Sequence, residues 1–400
     1  MIDFNTKYDV VVSGAGIAGI AAAIAAARRG KKVALIEKQT IIGGLATSGL
    51  IFVYLPLCDG NDTQVTFGLA EEMLLRCTNY GPFDLPEKWG GCPNGNSVPN
   101  QRYASRFSPA GFTLELDKML KEADVDLWLE TLVTDVECDE NNKITSILVS
   151  NISGNGKITA DCFVDATGSA FLVKRAGGKC LTEENFVTPW WIENSAYKKN
   201  YHFSDNIYIN SKGKWTKEFL IDDALNSKSQ TQFSRRAWHM IREEYDKIYA
   251  NDPEARRVDY PLTLAAMPQF RKIGRIDAIT VLNDNQEGTY FEDSVGLYGD
   301  WRKDNFVWET PYTSLVPKDV RNVFACGRCM GCAGDAWEAF RVIPSAAMTG
   351  EISGVAAAMC ADLKCDPAKL DVSILKVQLA KLGFKFHLDD VGLKYKAKQD

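Results

Sequence analysis

Histidine is scarce in this 400-residue chain: only His202, His239 and His387 occur, and none forms a His-x-x-x-His pair, so no catalytic metal is expected. A basic excess is also lacking. The 46 Lys and Arg residues against 52 Asp and Glu leave a formal charge of −6, which counts against nucleic acid as a partner. No apolar run reaches bilayer length, since the strongest early one, Ile17 to Ala27, stops at Arg28 and Arg29. No basic leader with a cleavage site is visible either, and a cytoplasmic location without a membrane partner is the expectation. Internal repeats and low-complexity tracts do not stand out. What remains is ordinary globular material, 46% apolar and 24% charged, long enough to call for two connected domains. The eleven cysteines are scattered and read mostly as reduced thiols.

The first forty residues form a βαβ pattern. Tyr8 to Ser13 is an apolar run suited to a buried parallel strand, Gly14-Ala-Gly-Ile-Ala-Gly19 opens an alanine-rich helix ending near Gly30, and Lys31 to Glu37 is the next strand. Residues 41 to 110 read as long loops around short elements. Phe112 to Ala123 is predicted helical, Val125 to Val136 and Ile144 to Val149 strand-like, and Cys162 to Gly168 a buried strand ending in a glycine turn. From 180 to about 310 the β/α rhythm disappears among Trp190, Trp191, Tyr197, Tyr201, Phe203 and Trp215. It returns with Val323 to Gly327 and a helix from about Ser345 to Cys360.

Each glycine of the first turn has its own task. Gly14 makes the tight turn, Gly16 lets the backbone approach a pyrophosphate, and Gly19 lets helix and strand pack. Helix amides then face the anion, and Glu37, at the end of the second strand, can accept hydrogen bonds from a ribose diol. Ala15, Ala18 and Lys38 complete this part of the expected site. Three later segments argue for FAD rather than NAD: Gly43, Gly44, Leu45, Ala46 and Thr47 beyond the acid; Ala166, Thr167 and Gly168 at a second close-approach turn; and Asn322 to Gly327, which can cover the ribityl chain, with Arg328 counted among the cofactor-binding residues. The fold expected is α/β: a Rossmann-type FAD-binding domain, mostly parallel sheet with a β-hairpin or meander, plus a mixed α+β substrate domain. Residues 1–50, 108–178 and 310–365 are assigned to the former, 51–107 and 179–309 to the latter, and 366–400 to a C-terminal helical extension.

On these motifs the chain resembles bacterial FAD-dependent oxidoreductases related to the fumarate reductase flavoprotein and glutathione reductase-like flavoproteins, and more loosely the glucose-inhibited division protein. The matching stretches include GAGIAGIAAAIAAARRGKKVALIEKQTIIGGLATSG, CFVDATGSAFLVKRAGG and FRVIPSAAMTGEISGVAAA. The resemblance implies backbone contacts from Val133 to adenine, and a helix start at Ile343, Ser345 and Ala346 facing the flavin pyrimidine, where a positive end would stabilise reduced flavin. It also puts Gly334 and Trp337 where many relatives carry histidines, so their reaction does not transfer wholesale.

Candidates for chemistry remain several. Arg341 either binds a substrate carboxylate or orients the loop beside the flavin; Arg271 and Arg275 form either an anion clamp or salt bridges to nearby acids. Trp337 is a candidate ring over the flavin, and Tyr54, Asp335 and Glu338 are candidates for proton transfer. Cys326, Cys329 and Cys332 mimic part of an iron–sulfur run without its fourth thiolate; a redox disulfide or ordinary packed thiols are the other readings. The leading functional expectation is an FAD-dependent oxidoreductase moving a hydride between a small organic substrate and flavin N5, with an external carrier, NAD(P)H or oxygen as electron partner. A flavin-dependent RNA-modifying protein and a non-catalytic flavin-binding subunit are the alternatives.

Overall fold

Neighbouring residues of the first strand, β1 (Lys7–Ser13), go to opposite faces: Val10 and Val12 enter one apolar cluster, Val11 between them the other. A strand buried on both sides belongs at the centre of a covered sheet. The computed structural model describes residues 7–81, 85–91, 102–196, 202–204, 207–211, 220–221 and 223–396, and β1 is central in it. The helix α1 (Ile17–Ala27) carries the chain to β2 (Val33–Ile36). After α2 (Pro109–Glu122) come β3 (Asp126–Trp128), β4 (Leu132–Cys138), β5 (Ile144–Asn151), β6 (Gly154–Asp165) and, far downstream, β7 (Val323–Ala325). The parallel order is β3, β2, β1, β6, with Val12 opposite Leu35 and Val164. β7 joins the C-terminal part of β6 in parallel, and β5 pairs antiparallel with its N-terminal part before returning to β4. This is the expected α/β Rossmann-type sheet with a meander.

The strand ending at the second glycine turn begins at Gly154, eight residues earlier than its apolar run suggests, because pairing with β5 carries it. Similarly, α2 starts at Pro109, where Ser108 accepts a hydrogen bond from the Gly111 amide at 3.2 Å and proline needs no partner for a missing N–H. Its buried Phe112, Leu116, Met119 and Leu120 recur at helical spacing. Phe52, Tyr54, Leu69, Met73 and Phe107 pack into the same cluster.

Helix α3 (Ile343–Leu363) lies against α1. A Cβ added at Gly350 would sit 2.1 Å from the Ala18 carbonyl oxygen, and one at Gly354 2.2 Å from that of Ala22. Glycine on one helix and alanine on the other therefore permit backbone contact, which brings the two helix starts to one cavity.

Over residues 187–273 a second layer forms. Trp190–Asn194 pairs antiparallel with Ile207–Ser211 and Tyr260–Leu264, and His202–Ser204 extends that sheet. The helix Ser227–Asn251 buries Phe233, Ala237 and Met240 against Phe270 and Ile273. Of the expected aromatic group, Tyr197, Tyr201, Trp215 and the Phe203 side chain lie outside the described residues, as does Cys92. Trp191 is core, its Nε1 donating to the Tyr245 hydroxyl at 2.8 Å. Among the described residues no single helix is long and apolar enough to cross a membrane.

Candidate active site

The chain leaves β1 through Gly14 at φ +96°, a backbone conformation that favours glycine. A Cβ here would lie 2.7 Å from the Ala166 carbonyl oxygen, so the two glycine turns abut. Gly16 is different. Its φ of −72° suits any residue, and an added Cβ would meet nothing within 4 Å. Protein packing does not require glycine at this point; the space above it belongs to the cavity, and a methyl group would fill it. Behind it, α1 begins without a side-chain cap or an acidic residue in its first turn, leaving its amides to a bound anion.

Glu37 is nearly buried, accepting from the Ala15 amide at 2.8 Å on one oxygen and from the Gln39 amide at 2.9 Å on the other. Each oxygen keeps a further lone pair for a diol. The Gly43 amide donates to the Ala15 carbonyl at 2.7 Å, laying Gly44–Ala46 along the same opening. At the second turn, Asp165 accepts from the Thr167 hydroxyl and the Leu172 amide, both at 2.7 Å. Burial pushes its carboxyl above the ordinary range although these donors oppose the shift.

Arg328 bolts this core to the second layer: Nε donates to the Gly168 carbonyl at 2.9 Å and Nη1 to that of Phe270 at 2.7 Å. Burial pushes its guanidinium down to about 10. At the opposite end, Ser345 Oγ donates to the Phe340 carbonyl at 2.8 Å, and α3 starts at Ile343 with no side-chain cap. These parts enclose a cavity of about 220 Å³.

Seventeen of the residues expected from sequence line it together: Gly14, Gly16, Ala18, Glu37, Lys38, Gly43, Gly44, Leu45, Ala46, Ala166, Thr167, Gly168, Gly327, Arg328, Arg341, Ile343 and Ala346. Ala15, Gly19, Thr47 and Ser345 are not among the lining residues; they hold those that are, through the Ala15–Glu37 bond, the contact of Gly19 with the Gly14 carbonyl, the Thr47 hydroxyl on the Ile42 carbonyl, and the Ser345 bond above. Gln39, Gln230, Ala266, Met267, Pro268, Phe270 and Ile273 also line the cavity and were not anticipated. Gln39 adjoins Lys38, and Ala266 to Ile273 surround Arg271, so for these the sequence signal was adjacency to an expected residue; Gln230 had none.

The other five expected residues are not among those lining the cavity. The Val133 side chain is buried in the cluster beneath β1 and β2, which leaves only its backbone for the adenine contact that the resemblance implies. Tyr54 is fully buried; its hydroxyl donates to the Ala70 carbonyl at 2.6 Å, and burial pushes its pKa well above the ordinary phenol value, which removes it from proton transfer. Trp337 is likewise fully buried, its Nε1 committed to the Arg328 carbonyl at 2.9 Å, with Lys272 and Arg275 over its ring. It supports cations rather than forming a face of the cavity. Arg275 therefore stacks on that ring outside the lining. Arg271 is also outside the lining but lies near Arg341; burial first, then repulsion from Arg341, pushes its guanidinium down to about 10.

Glu338 accepts from Arg341 Nε at 2.8 Å. Against burial, which favours the neutral acid, Arg341 and Lys272 hold this carboxyl below its ordinary range. Asp335 pairs with Arg302 at 2.6 Å and Lys303 at 3.1 Å. Cys326, Cys329 and Cys332 are buried free thiols whose pKa values burial raises; Cys329 accepts from the Ala170 amide at 3.2 Å. Among the described residues no group of three or more His, Cys, Asp or Glu side chains is arranged to hold a metal ion.

A Rossmann-type sheet with an uncapped helix, a diol-accepting acid and a second glycine turn on one cavity defines a dinucleotide-dependent protein. Residues 9–186 and 283–379 match the model of the FAD dependent oxidoreductase family, and the chain belongs to it. It is an enzyme with FAD as its cofactor. An uncharacterized protein from the nifH2 5′ region of Methanosarcina barkeri is 30% identical over 194 residues, which are 44% of this chain and 91% of that protein. Urocanate reductase of Eggerthella lenta is 41% identical over 86 residues, only 20% of this chain and 14% of that enzyme. Among solved structures, a geranylgeranyl bacteriochlorophyll reductase-like protein of Thermoplasma acidophilum aligns with a TM-score of 0.47 at 14% identity, covering 96% of this chain and 86% of that one.

Proposed function

We propose that the enzyme moves a hydride between a small organic substrate and N5 of the flavin. FAD supplies the hydride chemistry when bound; the chain's residues bind, orient and exclude water. The first turn of α1, with Gly14, Gly16 and Ala18, holds the diphosphate; Glu37 takes the ribose diol; Gly43–Ala46 and Gly327–Arg328 flank the middle of the cofactor. Val342, Ile343 and Ala346 meet the ring system with the positive end of α3. Met267, Pro268, Phe270 and Ile273 form the facing wall, which keeps water from the reacting carbon. Residues 1–50, 108–178 and 310–365 thus serve the cofactor, whereas 51–107 and 179–309 serve the substrate.

The observation that carries this reading is one continuous cavity running from the dinucleotide turn to a separate, largely apolar wall. Electrons then pass to an external carrier or oxygen, or, in the reducing direction, arrive from a carrier or NAD(P)H. An anaerobic screen of metabolites against the FAD-loaded protein, followed at about 450 nm, tests it. Bleaching by a hydride donor, or reoxidation of the reduced protein by an acceptor, is expected; flavin that responds to neither class, only to one-electron reagents, overturns the reading.

A further inference from the structure

The cavity wall follows the strand Tyr260–Leu264, which pairs with Trp190–Asn194. Met267, Pro268, Phe270 and Ile273 line the cavity, whereas Gln269 among them does not. Its side chain is turned inward and only 6% exposed. Nε2 donates to the Gly49 carbonyl at 2.6 Å and to the Trp190 carbonyl at 3.1 Å, while Oε1 accepts from the Trp190 amide at 2.9 Å. Trp190 thus receives from a side chain the pair of bonds that a neighbouring strand residue would give. The third bond reaches Gly49, just past the Gly44–Ala46 segment that lies along the cavity. Two carbonyls facing the nitrogen and an N–H facing the oxygen require an amide at this point. A carboxylate would set an oxygen against two carbonyl oxygens, and an apolar side chain would give up all three bonds. On either side of Gln269 the wall backbone is also tied down, the Ala266 amide to the Ser48 carbonyl at 2.9 Å and the Phe270 carbonyl to Arg328 at 2.7 Å.

We propose that Gln269 is a positioning residue whose side-chain amide sets the gap between the cofactor loop at 44–49 and the wall at 266–270, and so keeps water from the flavin face that the wall covers. It acts through Met267, Pro268 and Phe270, which meet the cavity in its place. The inference deepens the reading above and rests on it for the position of the wall beside the flavin.

Anaerobic reduction of the FAD-loaded protein by dithionite, a small reagent that needs access to the flavin but no substrate, reads the gap. Gln269→Met keeps the chain length without the three bonds and should speed reduction about 5- to 30-fold, the shift in a closed-to-open ratio expected for one or two lost bonds. The fine structure of the absorption band near about 450 nm should blur as water reaches the ring. Gln269→Glu tests the amide itself. At about pH 8 it should match Gln269→Met, and at about pH 5, where a protonated carboxyl regains an O–H donor, its rate should return towards that of the parent at the same pH. A side chain that only filled space would show no such dependence. A Gln269→Met rate equal to the parent's, a Gln269→Glu to parent ratio that does not change with pH, or loss of FAD from both variants overturns the proposal, the last by making Gln269 a requirement of the fold rather than of the gap. Because the reagent needs no substrate, each of these results leaves the metabolite screen to judge hydride transfer, and a silent screen beside a clear dithionite effect faults hydride transfer alone.

Discussion

Replacing Gly16 by alanine should weaken FAD binding and leave the fold as stable as before. The backbone there, at φ −72° and ψ 177°, accepts alanine, and the new Cβ has no protein atom within 4 Å. Reduced freedom of the unfolded chain favours the variant by roughly 0.4–1 kcal/mol, and a poorer residue at the helix start opposes this by about as much. The unfolding free energy of the apoprotein should therefore stay within about 1 kcal/mol. The methyl group instead occupies the approach of the diphosphate to the first turn of α1. Losing one charge-assisted hydrogen bond costs about 1.5–3 kcal/mol, or roughly 10- to 100-fold in affinity. Gly19→Ala makes the contrast: its Cβ would fall 1.8 Å from the Gly14 carbonyl oxygen, a backbone atom with little room to yield, and should cost about 1–3 kcal/mol of stability or more. Denaturation of both apoproteins and flavin titration separate the two effects. If Gly16→Ala binds FAD as tightly as the parent, the diphosphate does not sit at this turn.

Glu37→Gln removes the charge offered to the ribose diol and should weaken FAD about tenfold or more, read by the same titration; unchanged affinity would place the diol elsewhere. Gly350→Val drives a side chain into the Ala18 carbonyl, 2.1 Å from the added Cβ, and should lower both thermal stability and flavin affinity, since the start of α1 must shift. Burial pushes Glu351, which accepts from the Leu69 amide at 2.6 Å, up to about 8, so the folded state prefers its neutral form and that contribution, complete below the ordinary 4.5, is lost as pH rises through 8. Glu351→Gln should match the parent near pH 5 and be more stable by a few kcal/mol at pH 9, at about 1.4 kcal/mol per unit across the window; a stability difference that does not change with pH in denaturant titrations would refute it.

The dinucleotide end of the site was readable because its determinants are local. Gly14 to Gly19, the buried strand before them and Glu37 occupy one continuous stretch, and turn, helix and strand each leave a mark on residue choice. The meander was only half readable: Gly154 to Ala160 is polar and glycine-containing, and becomes strand because β5 lies beside it. Gly350 and Gly354 inside a helix look merely unfavourable until Ala18 and Ala22, more than 300 residues earlier, are found against them. Trp337 and Tyr54 failed for another reason. An aromatic residue in sequence does not declare which way it faces, and the Nε1 of one and the hydroxyl of the other both found carbonyl partners in the interior.

The family match covers the glycine turns but only part of the cavity they open onto. The matched residues, 9–186 and 283–379, contain both glycine turns, Glu37, Arg328 and the start of α3. The wall from Ala266 to Ile273 lies in the stretch between them, yet it faces the same cavity. Several bonds join the two regions there: Arg328, from the matched part, donates to the Phe270 carbonyl, the Ala266 amide donates to the Ser48 carbonyl at 2.9 Å, and the Asn185 side chain accepts from the Lys272 amide at 2.8 Å, which together hold the backbone of the wall. A scaffold built this way can keep its flavin geometry while Met267, Pro268 or Phe270 changes shape for another substrate body.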